Sequence, residues 1–297
     1  MADPTGVRRV GVGAQRRSAA TSGGRDPGDG LVAGPDRAYP ARVSFDVPPD
    51  AYDRFMGRYS GPLARAFADL VAPTSGQRAL DVGCGPGQLT EVLVERLGTR
   101  NVSAVDPSPP FVAALVEKLP ELDVRLAPAE DLPHADAVFD LTLAQLVVQF
   151  MADPVAGLAE MGRVTRPGGV VAASVWDHST GGGPLTTFWR AVQDLDPSVP
   201  GESGRAGVDE GHLAELFGEA GMTAASSTIL SVYVEHATFE EWWDPYLLGV
   251  GPAGQHVAGL DEHARAELRE RCRARLPEPP FTVGATAWTV WWRKPDR

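Results

Sequence analysis

The sequence predicts an α/β fold built on a doubly wound, mostly parallel sheet, and three observations carry that expectation. Short apolar strands alternate with helix-like segments at the spacing of βαβ units. The first strand ends in a glycine-rich turn that opens a helix, "ALDVGCGPGQLT" from Ala79 to Thr90. Long strands late in the chain, separated by an insertion, read as an antiparallel hairpin at the sheet edge, with the insertion as a small helical cap.

Residues 1–45 are rich in Gly, Arg, Ser and Pro and lack any aromatic before Tyr39, so they read as a disordered tail with too little apolar surface to offset its ordering entropy. The folded domain is expected over 46–297. From Asp50, "AYDRFMGRYSGPLARAFADLVAP" sets apolar residues three and four apart, which predicts helix with a Gly-Pro restart. The strand "RALDV" then leads to a helix over 88–97, and "NVSAVD" to a helix over 109–119. A strand over 123–126 precedes "VFDLTLAQ" and a helix over 154–164, after which the turn "RPGG" introduces the strand "VVAASVW". Beyond Trp176 the alternation weakens. Helices are expected over 209–220, in "TFEEWWDPYLLG" and in "DEHARAELRERCRARL", with a long strand over 227–235 and a β-rich close in "ATAWTVWWRKP". An open parallel sheet binds its ligand outside the carboxyl ends of its strands, so the cap is expected over that crevice.

Composition narrows the function. The chain has 43% hydrophobic and 22% charged residues, with no stretch near the roughly 18 to 20 apolar residues that span a bilayer. The N-terminus has no apolar core of a secretory signal, and a cytoplasmic protein is expected. With 27 basic against 39 acidic residues the net charge is −12, which argues against sequence-independent nucleic-acid binding and favours a small-molecule partner. Cys84 and Cys272 form neither a disulfide framework nor a zinc spacing, and the six His residues add no metal constellation.

The glycine turn identifies the ligand class. Gly83, Gly85 and Gly87 remove every β-carbon from one side of the turn, letting a ligand lie close to the backbone. The dinucleotide spacing G-x-G-x-x-G fails, since Gln88 or Thr90 falls where its third glycine belongs. The spacing is instead G-x-G-x-G behind the acidic Asp81. Leu80 to Thr90 resembles the first motif of the class I S-adenosylmethionine-dependent methyltransferases, in the small-molecule branch of the type 11 kind.

That resemblance, good over 50–176, implies a Rossmann-like seven-stranded sheet whose cofactor-binding part is about 50–176 and whose substrate cap and final strands are about 177–297. It assigns Asp81, Gly83, Cys84, Gly85 and Gly87 to cofactor contact. Asp106, followed by Pro107 at the end of "NVSAVD", would accept hydrogen bonds from the ribose. The segment "APAEDLPHADAVFDLTLAQLVVQF" would bring Ala129, Glu130 and Asp131 to the adenine and Gln145 beside the methyl donor. In "YDRFMGRYS", Arg58 would reach the methionine carboxylate and Tyr52 would pack near the sulfonium.

Methyl transfer mainly requires the acceptor to be positioned, and a base helps when that acceptor is a phenol, hydroxyl or protonated amine. His178, in "VWDHS" past the fifth strand, is the candidate base, ahead of His236 and His134. The aromatic group Phe188, Trp189, Trp242, Trp243 and Tyr246 reads as core, with an acceptor-pocket wall as the alternative. The expected activity is methyl transfer from S-adenosylmethionine to a small organic acceptor. A non-catalytic nucleotide-binding protein and a nicotinamide-dependent oxidoreductase are the alternatives.

Overall fold

The structure, a computed structural model, describes residues 48–296. The tail expected over 1–45 lies outside them. The described residues form seven strands: β1 Ala79–Val82, β2 Val102–Asp106, β3 Asp123–Leu126, β4 Phe139–Gln145, β5 Thr165–Trp176, β6 Ser226–His236 and β7 Phe281–Arg293. They form one sheet of order β3-β2-β1-β4-β5-β7-β6, parallel from β3 through β5. β7 pairs antiparallel with both β5 and β6, which is the terminal hairpin. The expected doubly wound sheet is therefore the observed one.

Helices cover both faces, and β1 shows why its sequence is apolar at nearly every position. Leu80 and Val82 pack on Leu158 and Met161 of α5 (Pro154–Val164) and on Leu213 and Phe217 of α7 (His212–Glu219). Ala79 points the other way, into a cluster with Phe67 of α2 (Arg58–Val71) and Leu89 and Leu93 of α3 (Gln88–Leu97). A strand buried on both faces needs side chains that tolerate a dry environment on both. The remaining helices are α1 (Pro49–Tyr52), α4 (Pro109–Lys118), α6 (Thr186–Leu195), α8 (Phe239–Trp243), α9 (Gly251–Ala258) and α10 (Glu262–Arg275).

Four details differ from the sequence expectation. The N-terminal helix does not restart at Gly61-Pro62. It widens into a π-helical turn at Asp53–Gly57, and Pro62 sits inside α2. Proline forfeits one hydrogen bond there, and burial of Tyr59, Leu63 and Phe67 around it holds the helix together. "RPGG" is not a turn ahead of β5 but an irregular start of it, with Gly168 at φ +74 and the β4–β5 register shifted between Phe139 and Leu141. The helix in "TFEEWWDPYLLG" splits, with a 3-10 turn at Asp244–Leu248 following α8. Helices α6 and α9 were not anticipated.

The cap has its own core, in which Phe188 stacks on Tyr246 at 4.5 Å between centroids and Trp189, Trp242 and Trp243 are buried. Among the described residues no helix is long and apolar enough to cross a membrane.

Candidate functional site

A cavity of about 920 Å³ opens at the carboxyl ends of β1, β2, β4 and β5. This is where the winding direction reverses between the neighbouring strands β1 and β4, the place such sheets leave a crevice. Its floor is the glycine turn. Gly83 and Cys84 donate backbone N–H groups to Val105 O of β2 at 2.8 and 3.0 Å, clamping the turn to the next strand. Gly83, at φ +70, lies so close to Val147 that a β-carbon would come within 2.4 Å of its Cγ2. Gly85, at φ +53, meets nothing within 4 Å on that side and lines the cavity. One glycine makes room for protein, and the other leaves the cavity open.

Asp106 is the anchor of the floor. Its Oδ2 accepts the Gly85 N–H and its Oδ1 the Ser108 N–H, each at 2.8 Å. Burial raises its pKa, and these two backbone donors pull it back. Farther along, Glu130 Oε1 accepts the N–H groups of Ala152 and Asp153 at 2.7 and 3.1 Å, which pins the loop after β3 to the start of α5. Gln145 donates from Nε2 to Ser60 O at 3.0 Å, and its buried Oε1 has no partner among the described residues. Leu146, next in chain, holds φ +63, a left-handed conformation unfavourable for leucine, and its N–H is tied to Ser174 O at 2.8 Å.

Of the residues expected at the site, the cavity brings together Tyr52, Gly83, Gly85, Asp106, Pro107, Ala129, Glu130, Gln145 and His178. Tyr52 meets Phe111 edge-on at 5.5 Å, and burial pushes its hydroxyl pKa upward. Burial lowers the pKa of the His178 imidazole, which favours the neutral ring.

Five expected residues do not line the cavity. Asp81 is 1% exposed and its Oδ2 accepts the Thr90 hydroxyl at 2.6 Å; burial pushes its pKa up to about 7. Cys84 is buried against α3, its thiol pKa pushed up by burial. Gly87 makes room for Leu115, whose Cδ1 a β-carbon would approach to 2.6 Å. Asp131 is exposed on the surface. Arg58 is drawn off toward the cap. Its Nη2 pairs with Glu241 Oε1 at 2.8 Å, and its Nη1 donates to Glu241 O and to His236 Nδ1 at 3.0 and 2.9 Å. A guanidinium only donates, so His236 is the tautomer that accepts at Nδ1 and donates from Nε2 to the Tyr59 hydroxyl, 3.0 Å away. Burial, then Arg58, lowers the His236 pKa to about 4. His236 and His134 are likewise outside the cavity lining.

Several lining residues escaped the sequence reading: Gln149, Phe150 and Trp176 near the strand ends, Leu185 ahead of α6, Glu202 in a loop, and Val250 at the start of α9. Among the described residues no group of three or more His, Cys, Asp or Glu could hold a metal ion.

Comparison with known proteins adds a family. A family model described as a methyltransferase domain matches residues 80–173. An uncharacterized methyltransferase of Mycobacterium bovis is 37% identical over 135 residues, 46% of this chain and 52% of that protein. Over the match, this chain thus spans about half the length of that curated relative. The demethylmenaquinone methyltransferase of Renibacterium salmoninarum is 30% identical over 193 residues, 60% of this chain and 80% of that protein. A solved structure of phosphoethanolamine N-methyltransferase 2 from Haemonchus contortus, in complex with phosphomonomethylethanolamine and S-adenosylhomocysteine, shares the fold. It aligns with a TM-score of 0.51 at 16% identity, covering 86% of this chain and 61% of that one.

Proposed function

The chain belongs to the class I S-adenosylmethionine-dependent methyltransferases, and from that membership we propose that it transfers a methyl group from S-adenosylmethionine to a small organic acceptor. The observation that carries the reading is the open left-handed Gly85 joined to Asp106, at the carboxyl end of the first two strands. The residues fit the group. A cofactor lying against Gly83 and Gly85 finds no β-carbon in its way, and each Asp106 oxygen retains a lone pair for a ribose hydroxyl after accepting its backbone N–H. Ala129 and Glu130 take the adenine side, and the unpartnered Oε1 of Gln145 is an acceptor beside the reacting end.

S-adenosylmethionine, when bound, supplies an electrophilic methyl on a sulfonium. The protein's own part is to hold the acceptor in line and keep water out, since proximity and orientation are what such a displacement needs. The acidic lining suits a cationic donor: Asp106 and Glu130 both border the cavity. On this reading residues 50–176 are the cofactor half, and 177–297 supply the acceptor half through Leu185, Glu202 and Val250. The relatives' acceptors differ, a demethylmenaquinone in one and a phosphoethanolamine in another, so family membership alone leaves the acceptor open.

The test is thermal unfolding of the full chain with S-adenosylhomocysteine or NADH added separately. Ligand at about a hundred times its Kd adds roughly 2.7 kcal/mol, which raises the midpoint of a domain this size by about 5 to 10 °C. A rise with S-adenosylhomocysteine alone is expected. A rise with NADH alone would replace this reading with the nicotinamide one.

A further inference from the structure

Past Gln145 the cavity wall turns apolar, with Phe55, Met56, Phe150, Leu185 and Val250. Polar groups without a partner among the described residues are set into that wall. Trp176 Nε1 and Gln149 Oε1 are buried and have no hydrogen-bond partner among the described residues, in residues only 2% and 6% exposed. No described residue hydrogen-bonds the His178 ring. Glu202 is 5% exposed, and Trp189 Nε1 donates to its Oε2 at 3.0 Å while Oε1 accepts no hydrogen bond from the described residues. The loop bearing Glu202 is itself seated on that indole, for a β-carbon on Gly201 would come within 3.3 Å of the Trp189 ring. A buried polar atom with nothing to bond is costly, and a ligand that supplies the partner recovers that cost.

The charges along the lining select among acceptors. Three carboxylates border the cavity, Asp106, Glu130 and Glu202, and among the described residues no Lys or Arg does. Arg205 is close, 5.3 Å from the Phe150 ring centroid, and is not part of the lining. An acceptor carboxylate or phosphate would enter a desolvated space among like charges, with no cation on the lining itself to pair it. An ammonium would arrive beside the sulfonium with no lone pair to attack. A hydroxyl oxygen keeps its lone pairs while still bonded to its proton.

We propose, resting on the methyl-transfer reading above, that the acceptor is an uncharged, largely apolar molecule bearing a hydroxyl, that His178 is the catalytic residue receiving the hydroxyl proton, and that Glu202 is the positioning residue that favours that transfer. The hydroxyl oxygen uses a lone pair to form the new bond to the methyl carbon. The carbon–sulfur bond breaks with its electron pair returning to sulfur as a neutral thioether, and the O–H proton passes to an unprotonated nitrogen of His178. Besides Glu202, the charged groups that act on the imidazole are Arg205 and Asp177.

The experiment is calorimetric titration of the full chain, saturated with S-adenosylhomocysteine, with 2-naphthol, 2-naphthoate and 2-naphthylmethylamine, followed by turnover of each with S-adenosylmethionine. Binding of 2-naphthol at least about tenfold tighter than 2-naphthoate is expected, with methyl transfer to its oxygen and none to 2-naphthylmethylamine. Equal or tighter binding of the carboxylate, methyl transfer to the amine, or no binding of 2-naphthol would overturn the acceptor class. Failure to bind S-adenosylhomocysteine would instead remove the cofactor reading on which the proposal stands. Glu202→Gln, with the midpoint and S-adenosylhomocysteine affinity retained, is expected to shift the acid limb of kcat to lower pH, because loss of the carboxylate makes His178 easier to deprotonate. Glu202→Asp should restore part of the shift. An unmoved acid limb in Glu202→Gln would remove Glu202 from the mechanism.

Discussion

Gly85 and Asp106 are joined across the floor of the cavity, the Gly85 N–H donating to Asp106 Oδ2 at 2.8 Å. The other carboxylate oxygen takes the Ser108 N–H, so both sides of the floor depend on one residue that accepts twice. Asparagine would present an N–H₂ group to one of those donors. Asp106→Asn is therefore expected to weaken S-adenosylhomocysteine binding by about 1.5 to 3 kcal/mol, the scale of a hydrogen bond to a charged group. Calorimetric titration checks it, and an affinity equal to the parent's would take Asp106 out of the site.

Two glycines two residues apart should respond differently to the same added methyl. In Gly83→Ala the new carbon meets Val147 at 2.4 Å on top of an unfavourable left-handed backbone, so a loss of roughly 2 to 5 kcal/mol in stability is expected. In Gly85→Ala the backbone cost of about 1 to 2 kcal/mol remains, but the methyl enters open space. That variant should fold and lose most of its affinity for S-adenosylhomocysteine. Urea denaturation paired with titration separates the two effects, and normal affinity in Gly85→Ala would show that no ligand lies there.

Arg58 ties the start of α2 to the cap through Glu241 and His236. Arg58→Ala strands the buried His236 acceptor, and a loss of about 1 to 3 kcal/mol in stability is expected. Affinity for S-adenosylhomocysteine should change little. A large loss of affinity in a variant of unchanged stability would return Arg58 to the cofactor.

Asp81 gives a pH dependence with a definite sign. Its folded pKa of about 7 stands above the ordinary carboxylate value of 3.8, so the folded state binds the proton more tightly. Its contribution to stability is present at low pH and is lost as pH rises through about 7. His236 acts oppositely, losing its contribution as pH falls from 6.5 toward about 4. The two are separated by comparing the parent with Asp81→Asn. The midpoint of the parent should fall relative to the variant between about pH 4 and 7 and run parallel to it above that. Curves parallel over the whole range would mean that Asp81 is ionised throughout.

The parallel half of the fold was legible because local signals agree there. Apolar runs, Gly83 and Gly85, and the acidic ends of β1 and β2 all depend on neighbours in sequence. Arg58 illustrates what was not. Its position on the helix was evident, but the partner that turns it away, Glu241, lies 183 residues on. Glu202 is the reverse case, a carboxylate in the loop "PGESG" with no periodicity to mark it, brought to the cavity by the Trp189 indole. Helix α6 follows a Gly-rich loop and α9 opens with Gly-Pro, so each begins in residues that usually signal a break.

The strand order has a consequence for how the polypeptide is made. Among the described strands β6 has one sheet neighbour, β7, and β7 is also the strand that separates it from β5. A ribosome delivers β6 some 45 residues before the β7 segment that seats it. Until then β6 is a ribbon with two unsatisfied edges and β5 is an open flank, while the five parallel strands can already assemble. Nascent chains arrested between the two segments should therefore hold the cofactor floor and still recruit holdase chaperones, and release should coincide with emergence of "FTVGATAWTVWWR".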